Sequence, residues 1–83
     1  MLIPLYKDKY KMAESLIGFI TDTREGLRVE MRPGHSLTLS EVAAIFGNAK
    51  YLIERTEKAE DGSDLYLRFL IKEYTLEGIR KYD

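Results

Sequence analysis

GLRVEMRPGHSLTLSEVAAIFGNAK, residues 26–50, is the stretch of the sequence that decides the fold. Its first part alternates apolar and charged residues, which predicts a strand with one buried face and one solvated face. The apolar members are Leu27, Val29 and Met31, and the charged members are Arg28, Glu30 and Arg32. The dipeptide Pro33-Gly34 then interrupts the extended run and predicts a turn.

The second part of this stretch has the pattern of a short amphipathic helix. Ser40 is predicted as its N-cap, with Glu41 in the first turn, where a negative charge meets the positive end of the helix dipole. Gly47-Asn48 predicts the end of the helix, because both residues tolerate the left-handed conformation of a C-cap. The apolar stripe consists of Val42, Ile45, Phe46 and Ala49.

Two segments precede the stretch. Residues 15–21 are apolar on both faces and predict a central strand, joined by a turn at 22–26 to the strand that follows. Gly18 within that strand indicates a bulge or a large side chain lying across the backbone. We interpret residues 1–11 as an irregular arm, because Pro4 argues against a central strand.

The part of the chain after Asn48 admits two interpretations. Residues 51–60 can continue the helix or form a strand, and the strand is favoured because Gly47-Asn48 is a good terminator. Asp61-Gly62 then predicts a hairpin turn, and residues 65–74 predict the strand that returns from it. Residues 75–83 are interpreted as a short helix or an irregular tail. The expected fold is a single α+β domain over residues 1–83, of order β-β-α-β-β, with the helix packed on one face of an antiparallel sheet.

Composition narrows the classes of function. The chain has 83 residues, no cysteine, and 13 Lys plus Arg against 14 Asp plus Glu, for a net charge of −1. A nucleic-acid-binding domain usually has a basic excess or a basic cluster, and neither is present. No apolar run approaches the length of a membrane span and no signal peptide is visible, so we expect a cytoplasmic protein that does not contact membranes.

The sequence contains no recognisable catalytic or cofactor-binding motif. His35 is the only histidine and lies in a turn, where solvation is the ordinary state. A metal site needs several converging ligands, and no such cluster is visible. Glu30 and Glu41 could come close in space, but a carboxylate pair needs a pocket that separates the two pKa values to act as acid and base. We therefore expect a non-enzymatic protein with no catalytic residue, metal or cofactor.

One alternative is a helix-turn-helix DNA-binding regulator formed by residues 40–58. Ala43 and Gly47 stand four residues apart, as they do in the first helix and turn of many bacterial repressors. The next position is usually apolar, and here it is Asn48. The segment that would read DNA has balanced charges, whereas affinity for DNA comes largely from cationic contacts with phosphates.

The order of elements also resembles the short uracil-DNA glycosylase inhibitors of small tailed phages, over residues 15–53. In both, an apolar strand, an acidic Gly turn, a second strand and a Gly-containing turn lead to Leu37-Thr-Leu-Ser-Glu41 and to an aromatic-Gly-Asn stop at Phe46-Gly47-Asn48. The chain differs from the family in its near-neutral charge and in Val42, which takes the position of a groove-entering aromatic residue. The resemblance implies a dimeric, DNA-mimicking fold and a phage inhibitor of a host nucleic-acid enzyme or defence complex.

We therefore expect a phage or mobile-element inhibitor that binds a host protein, with homodimerisation through sheet edges also compatible with the sequence. Six tyrosines suit such contacts, because tyrosine offers a large amphipathic surface with few rotamers to freeze. Direct binding to nucleic acid is the less favoured interpretation. The residues expected to contact the partner are Glu30, Arg32, Ser40, Glu41, Val42, Ile45, Phe46 and Tyr51.

Overall fold

A computed structural model describes residues 2–7 and 15–72 as an antiparallel sheet with one short helix. The order of elements is β-β-β-β-α-β-β, which confirms the α+β class. The strands are β1 (Leu2–Tyr6), β2 (Leu16–Thr23), β3 (Gly26–Met31), β4 (Leu37–Thr38), β5 (Lys50–Lys58) and β6 (Asp64–Lys72), and the helix is α1 (Leu39–Phe46).

The sheet is organised around β6. Strands β1, β2 and β3 are consecutive neighbours, and β3 pairs with the C-terminal half of β6. The two-residue strand β4 pairs with the N-terminal half of β6, on the same side as β3. Strand β5 pairs with β6 along its whole length, from the opposite side. Strand β5 is therefore an edge of the sheet within the part of the chain that the structure describes.

The predicted alternation of β3 is confirmed. Leu27 and Val29 are fully buried, while Glu30 is exposed on the other face. The buried side chains of β3 meet Phe69 and Ile71, their register partners on β6. The core on this face also includes residues from the other strands and from α1, namely Leu5, Ile17, Ile20, Met31, Leu37, Val42 and Phe46.

Phe69 lies at the centre of this core. Its ring makes edge-to-face contacts with Phe46 of α1, Tyr51 of β5 and Tyr66 of β6, with centroids 5.8, 5.9 and 6.3 Å away. Aromatic pairs prefer this geometry because the positive ring edge meets the negative face. One side chain thus joins the helix and the edge strand to the central strand.

The helix ends where the sequence predicts. Gly47 takes a positive φ of 74°, and its N–H donates to the carbonyl oxygen of Ala43. The predicted start was wrong, because the N-cap is Thr38 and not Ser40. The Thr38 hydroxyl accepts a hydrogen bond from the Glu41 N–H, and the Glu41 carboxylate accepts one from the Thr38 N–H. This reciprocal capping box satisfies two N–H groups that the helix leaves without partners.

The ambiguity after Asn48 is resolved in favour of the strand. Lys50–Lys58 is β5, and residues 59–63 form the hairpin turn, with Gly62 at a φ of 85°. The second helix that a helix-turn-helix needs is therefore not formed by residues 49–58. The predicted tail at 75–83 lies outside the residues that the structure describes.

The N-terminal prediction needs a correction. Leu2–Tyr6 is a strand paired with β2, so this part of the predicted arm is regular, while residues 8–11 of the arm lie outside the residues that the structure describes. Pro4 is compatible with this position because β1 pairs on one side only among the described residues, and an edge strand can do without one N–H donor. Gly18 lies opposite Leu5 and Met31. A Cβ there would approach the Glu30 carbonyl oxygen to 2.5 Å and the Met31 side chain to 3.0 Å, so the neighbouring strand explains the glycine.

Candidate functional site: an open charged groove

A groove of about 620 Å³ opens at one end of the sheet. It is formed by the end of β3 with its following turn, by the middle of β5 and by the first half of β6. Glu30 and Arg68, two of its lining residues, are register partners on the face away from the buried partners Val29 and Phe69. The groove therefore lies mainly on the face opposite the helix.

The turn that forms one wall is fixed by local chemistry. Pro33 presets the backbone for the first central position of a turn, and Gly34 takes the positive φ of 82° that the second position requires. The His35 N–H closes this turn on the Arg32 carbonyl oxygen at 3.0 Å. The Arg32 side chain is held as well, because its Nη1 donates to the Leu16 carbonyl oxygen at 3.0 Å.

The opposite wall comes from the β5–β6 hairpin. Arg55 and Glu57 lie on β5, and their side chains are 65% and 61% exposed. The Arg55 Nη2 and Glu57 Oε1 atoms are 4.0 Å apart. An exposed pair of this kind contributes little to stability, so a partner can replace it at small cost. Leu65 and Leu67 of β6 add apolar surface to the same wall. The groove thus combines charges of both signs with an apolar strip.

An ion pair spans the sheet beside the groove. Arg28 of β3 donates to both carboxylate oxygens of Glu54 on β5, at 3.1 and 3.3 Å, across the central strand β6. This hydrogen bonding, together with the positive charges of Arg28 and Arg68, lowers the pKa of Glu54. The pair therefore contributes stability at neutral pH, which is lost as the pH falls through the lowered pKa.

The same face carries an apolar position next to this ion pair. Leu70 is buried although it lies on the face opposite the main core, where its register partners are Arg28 and Leu52. Leu52 is 51% exposed, and the adjacent Ile53 is 42% exposed. Leu52 faces Leu70 and Ile53 faces Phe69, so the two exposed side chains lie on opposite faces of the sheet, and Leu52 shares the face of the groove.

The residues predicted to contact a partner do not form one surface. Two of them, Glu30 and Arg32, line the groove. Val42 and Phe46 are buried in the core, so their side chains pack the protein itself. The remaining four belong to the helix side: Ser40 is exposed, Glu41 forms the capping box, Ile45 packs partly buried on the core, and the Tyr51 hydroxyl donates to the Gly47 carbonyl oxygen.

Sequence reasoning missed the groove residues of the second hairpin. Arg55, Glu57 and Arg68 reach the groove only because β5 and β6 lie beside β3, a long-range pairing that no local pattern records. A usable signal was that residues 54–58 are all polar or charged, and such residues are mostly exposed.

Within residues 2–7 and 15–72, no three His, Cys, Asp or Glu side chains are grouped so that they could hold a metal ion. In the same ranges, the single helix is too short to cross a membrane. Comparison of the chain with protein-family models, with curated proteins and with solved structures found no match.

Proposed function

We propose that this protein is a non-enzymatic binding module, encoded by a phage or mobile element, that inhibits a host nucleic-acid enzyme or defence complex by binding it. The observation that carries the proposal is the open groove, with charges of both signs on its rim and leucines in its wall. Interfaces between proteins combine apolar and polar surface, and the residues that line this groove are of both kinds.

The electrostatics of the groove favour recognition of another protein. Every ionisable side chain in the described ranges keeps some contact with solvent, so the rim charges remain available to a partner. Charges of both signs select a partner whose surface carries the complementary arrangement. A uniformly basic groove would instead suit the phosphate backbone of a nucleic acid.

The fold gives the groove a rigid base. Its walls are formed by residues of three sheet strands, which pair through backbone hydrogen bonds, and the Arg32 side chain donates a hydrogen bond to the β2 backbone. A preorganised surface loses little conformational entropy on binding, which favours affinity. Leu52, exposed on β5, shares the face of the groove and adds apolar surface that a partner could cover.

The proposed target class is supported by the family resemblance. Over residues 15–53, the chain has β2, β3, a Gly turn, α1, a Gly-Asn stop and β5 in the order of the phage glycosylase inhibitors, with the two-residue strand β4 added before α1. The inhibitors of that family act by occupying a nucleic-acid enzyme. The groove lies away from the helix start that the resemblance favours, so we assign partner contact first to Glu30 and Arg32.

A capture experiment with a matched pair of variants tests the proposal. The tagged protein is incubated with bacterial lysate, and retained proteins are identified by mass spectrometry. Glu30→Arg reverses a charge in the groove, while Glu25→Arg makes the same change in the exposed β2–β3 turn. We expect the wild type and Glu25→Arg to retain the same host protein, and Glu30→Arg to retain it roughly tenfold less, because like charges repel across an interface.

The captured protein then provides the functional readout. Its enzymatic activity should fall as the purified wild-type protein is added, and should fall less with Glu30→Arg. Circular dichroism of both variants shows that each is folded. Absence of a host protein that distinguishes the two variants would contradict the proposal. Salt-sensitive retention of duplex DNA by the purified protein would point to nucleic-acid binding instead.

A further inference from the structure

The pairing of β5 with β6 is irregular beside the groove. Strand β5 changes register on either side of Arg55, which pairs with Arg68. Glu54 lies on the face opposite the main core, where it accepts hydrogen bonds from Arg28. Strict alternation would turn the next residue, Arg55, toward the face of Ile53, yet Arg55 lines the groove. The irregularity therefore turns Arg55 onto the groove face, which is a common use of a β-bulge.

This register brings two arginines face to face. Arg55 of β5 and Arg68 of β6 are direct neighbours across the two strands, and both line the groove. On its other side, Arg68 has Glu30 of β3 as its register partner. The row across the three strands therefore has the signs minus, plus, plus. Like charges at directly facing positions are destabilising, so this row holds one positive charge that no facing carboxylate balances.

The carboxylates beside the two arginines hold them only loosely. Arg55 Nη2 lies 4.0 Å from Glu57 Oε1, and Arg68 Nε lies 3.9 Å from Glu54 Oε1. Glu54 is already bound by Arg28 through two shorter hydrogen bonds. Within the part of the chain that the structure describes, the buried Arg68 Nε has no hydrogen-bond acceptor. A donor left without an acceptor costs free energy, so the pair has hydrogen-bonding capacity for a further anion.

We propose that Arg55 and Arg68 together bind the carboxylate of an Asp or Glu side chain on a protein partner. A guanidinium group is planar and offers paired N–H donors that match the two oxygens of a carboxylate. A carboxylate between the two arginines offsets their mutual repulsion and supplies acceptors to both. That the partner is a host protein rests on the proposed function, whereas the arginine pair is a property of the fold.

The charges around the pair favour a single carboxylate over a run of phosphates. Three arginines and two glutamates line the groove, which gives it a charge of +1 when His35 is neutral. Glu30 and Glu57 would repel a run of phosphates, whereas one carboxylate neutralises the groove. Leu65 and Leu67 add apolar surface to the same wall. The groove therefore suits a segment in which an acidic residue stands next to apolar residues.

Titration of the purified protein with a short peptide tests this proposal without the host protein. The probe is acetyl-Leu-Asp-Leu-amide, and acetyl-Leu-Asn-Leu-amide is the neutral control. NMR spectra of ¹⁵N-labelled protein follow the side-chain Nε–H signals of Arg55 and Arg68. We expect the acidic peptide to shift both signals with a Kd on the order of 1 mM, and the neutral peptide to bind at least roughly tenfold more weakly, because it lacks the charge.

Matched variants separate the arginine pair from a general effect of charge. Arg55→Gln and Arg68→Gln should each weaken binding of the acidic peptide roughly tenfold, because each removes half of the proposed site. Arg24→Gln removes the same charge from the exposed β2–β3 turn and should leave binding unchanged. Arg55→Lys keeps the charge but loses the paired donors, so its affinity should fall between those of the wild type and Arg55→Gln.

Thermal unfolding followed by circular dichroism shows that each variant is folded and adds a second readout. Arg55 is mostly exposed and faces a like charge, so Arg55→Gln should keep or raise the Tm of the free protein. A Tm clearly below that of Arg24→Gln would assign Arg55 a structural role and overturn the proposal.

Three other results would also overturn it: equal binding of the two peptides, unchanged binding by both arginine-to-glutamine variants, or tighter binding of hexathymidylate than of the acidic peptide. The last result would assign the arginines to phosphate. The titration contains no host protein, so its failure leaves the proposed function standing. Binding of the acidic peptide without capture of any host protein would overturn the proposed function alone.

Discussion

Gly26 shows how a single position can depend on a distant strand. It begins β3 with a φ of +141°, a conformation that residues with a side chain rarely adopt. A Cβ at this position would lie 2.3 Å from the carbonyl oxygen of Ile71. Glycine is therefore required at this position both by the turn after β2 and by the close approach of the β6 backbone.

Gly34 provides a matched control for that position. It also has a positive φ, +82°, but a Cβ there would meet no atom within 4 Å. We expect Gly34→Ala to cost roughly 1–2 kcal/mol for the left-handed conformation alone. Gly26→Ala should cost about 3 kcal/mol or more, because backbone strain and a backbone clash add. Urea unfolding of the two variants measures the difference, and equal shifts in the midpoint would show that the close approach is absent.

The sequence predicts part of what these residues do. The turn role of Gly26 follows from the polar segment 22–25 before it and from the ability of glycine to take a positive φ, and the special nature of Gly18 follows from its place in an apolar strand. The atoms that crowd them belong to Ile71 and to Glu30 and Met31 on neighbouring strands. Such contacts depend on the register between strands, which a local pattern does not contain.

At the scale of elements, two residues were candidates for the N-cap of α1, and the structure shows which one it is. Thr38 exchanges hydrogen bonds with Glu41 at 3.0 and 3.2 Å, while Ser40 lies one residue inside the helix and is exposed. The Thr-x-x-Glu spacing is the signature of a capping box, and it was readable from the sequence. Ser40 was predicted as the N-cap from the position of the apolar stripe. Leu39 was overlooked as the first residue of the helix, because it is apolar yet exposed.

Two alanine substitutions distinguish these caps. Thr38→Ala should destabilise the protein by about 1 kcal/mol, because the Glu41 N–H loses the hydroxyl that accepts its hydrogen bond. Ser40→Ala should change stability by less than about 0.5 kcal/mol, as surface substitutions away from caps usually do. Thermal and urea unfolding monitored by circular dichroism measure both values. A larger loss for Ser40→Ala than for Thr38→Ala would move the N-cap back to Ser40.

The remaining elements were predicted to different degrees. Alternation identified β3, and the dipeptides Gly47-Asn48 and Asp61-Gly62 identified the ends of α1 and β5, because each signal is local. Strand β1 was missed because Pro4 weakens the pattern without forbidding an edge position. The two-residue strand β4 is too short to have a period and exists only through its pairing with β6.

At the scale of the whole molecule, the site was predicted less well than the fold. Glu30 was placed correctly on the solvated face of β3, since alternation determines which side chains leave the core, and Arg32 is exposed one residue beyond the end of the strand. The groove around them needs β5 and β6 to be brought beside β3. Val42 and Phe46 were expected at a partner surface, but an apolar helix stripe in a small protein first packs the core. A substitution such as Val42→Asp would therefore test folding and not partner binding.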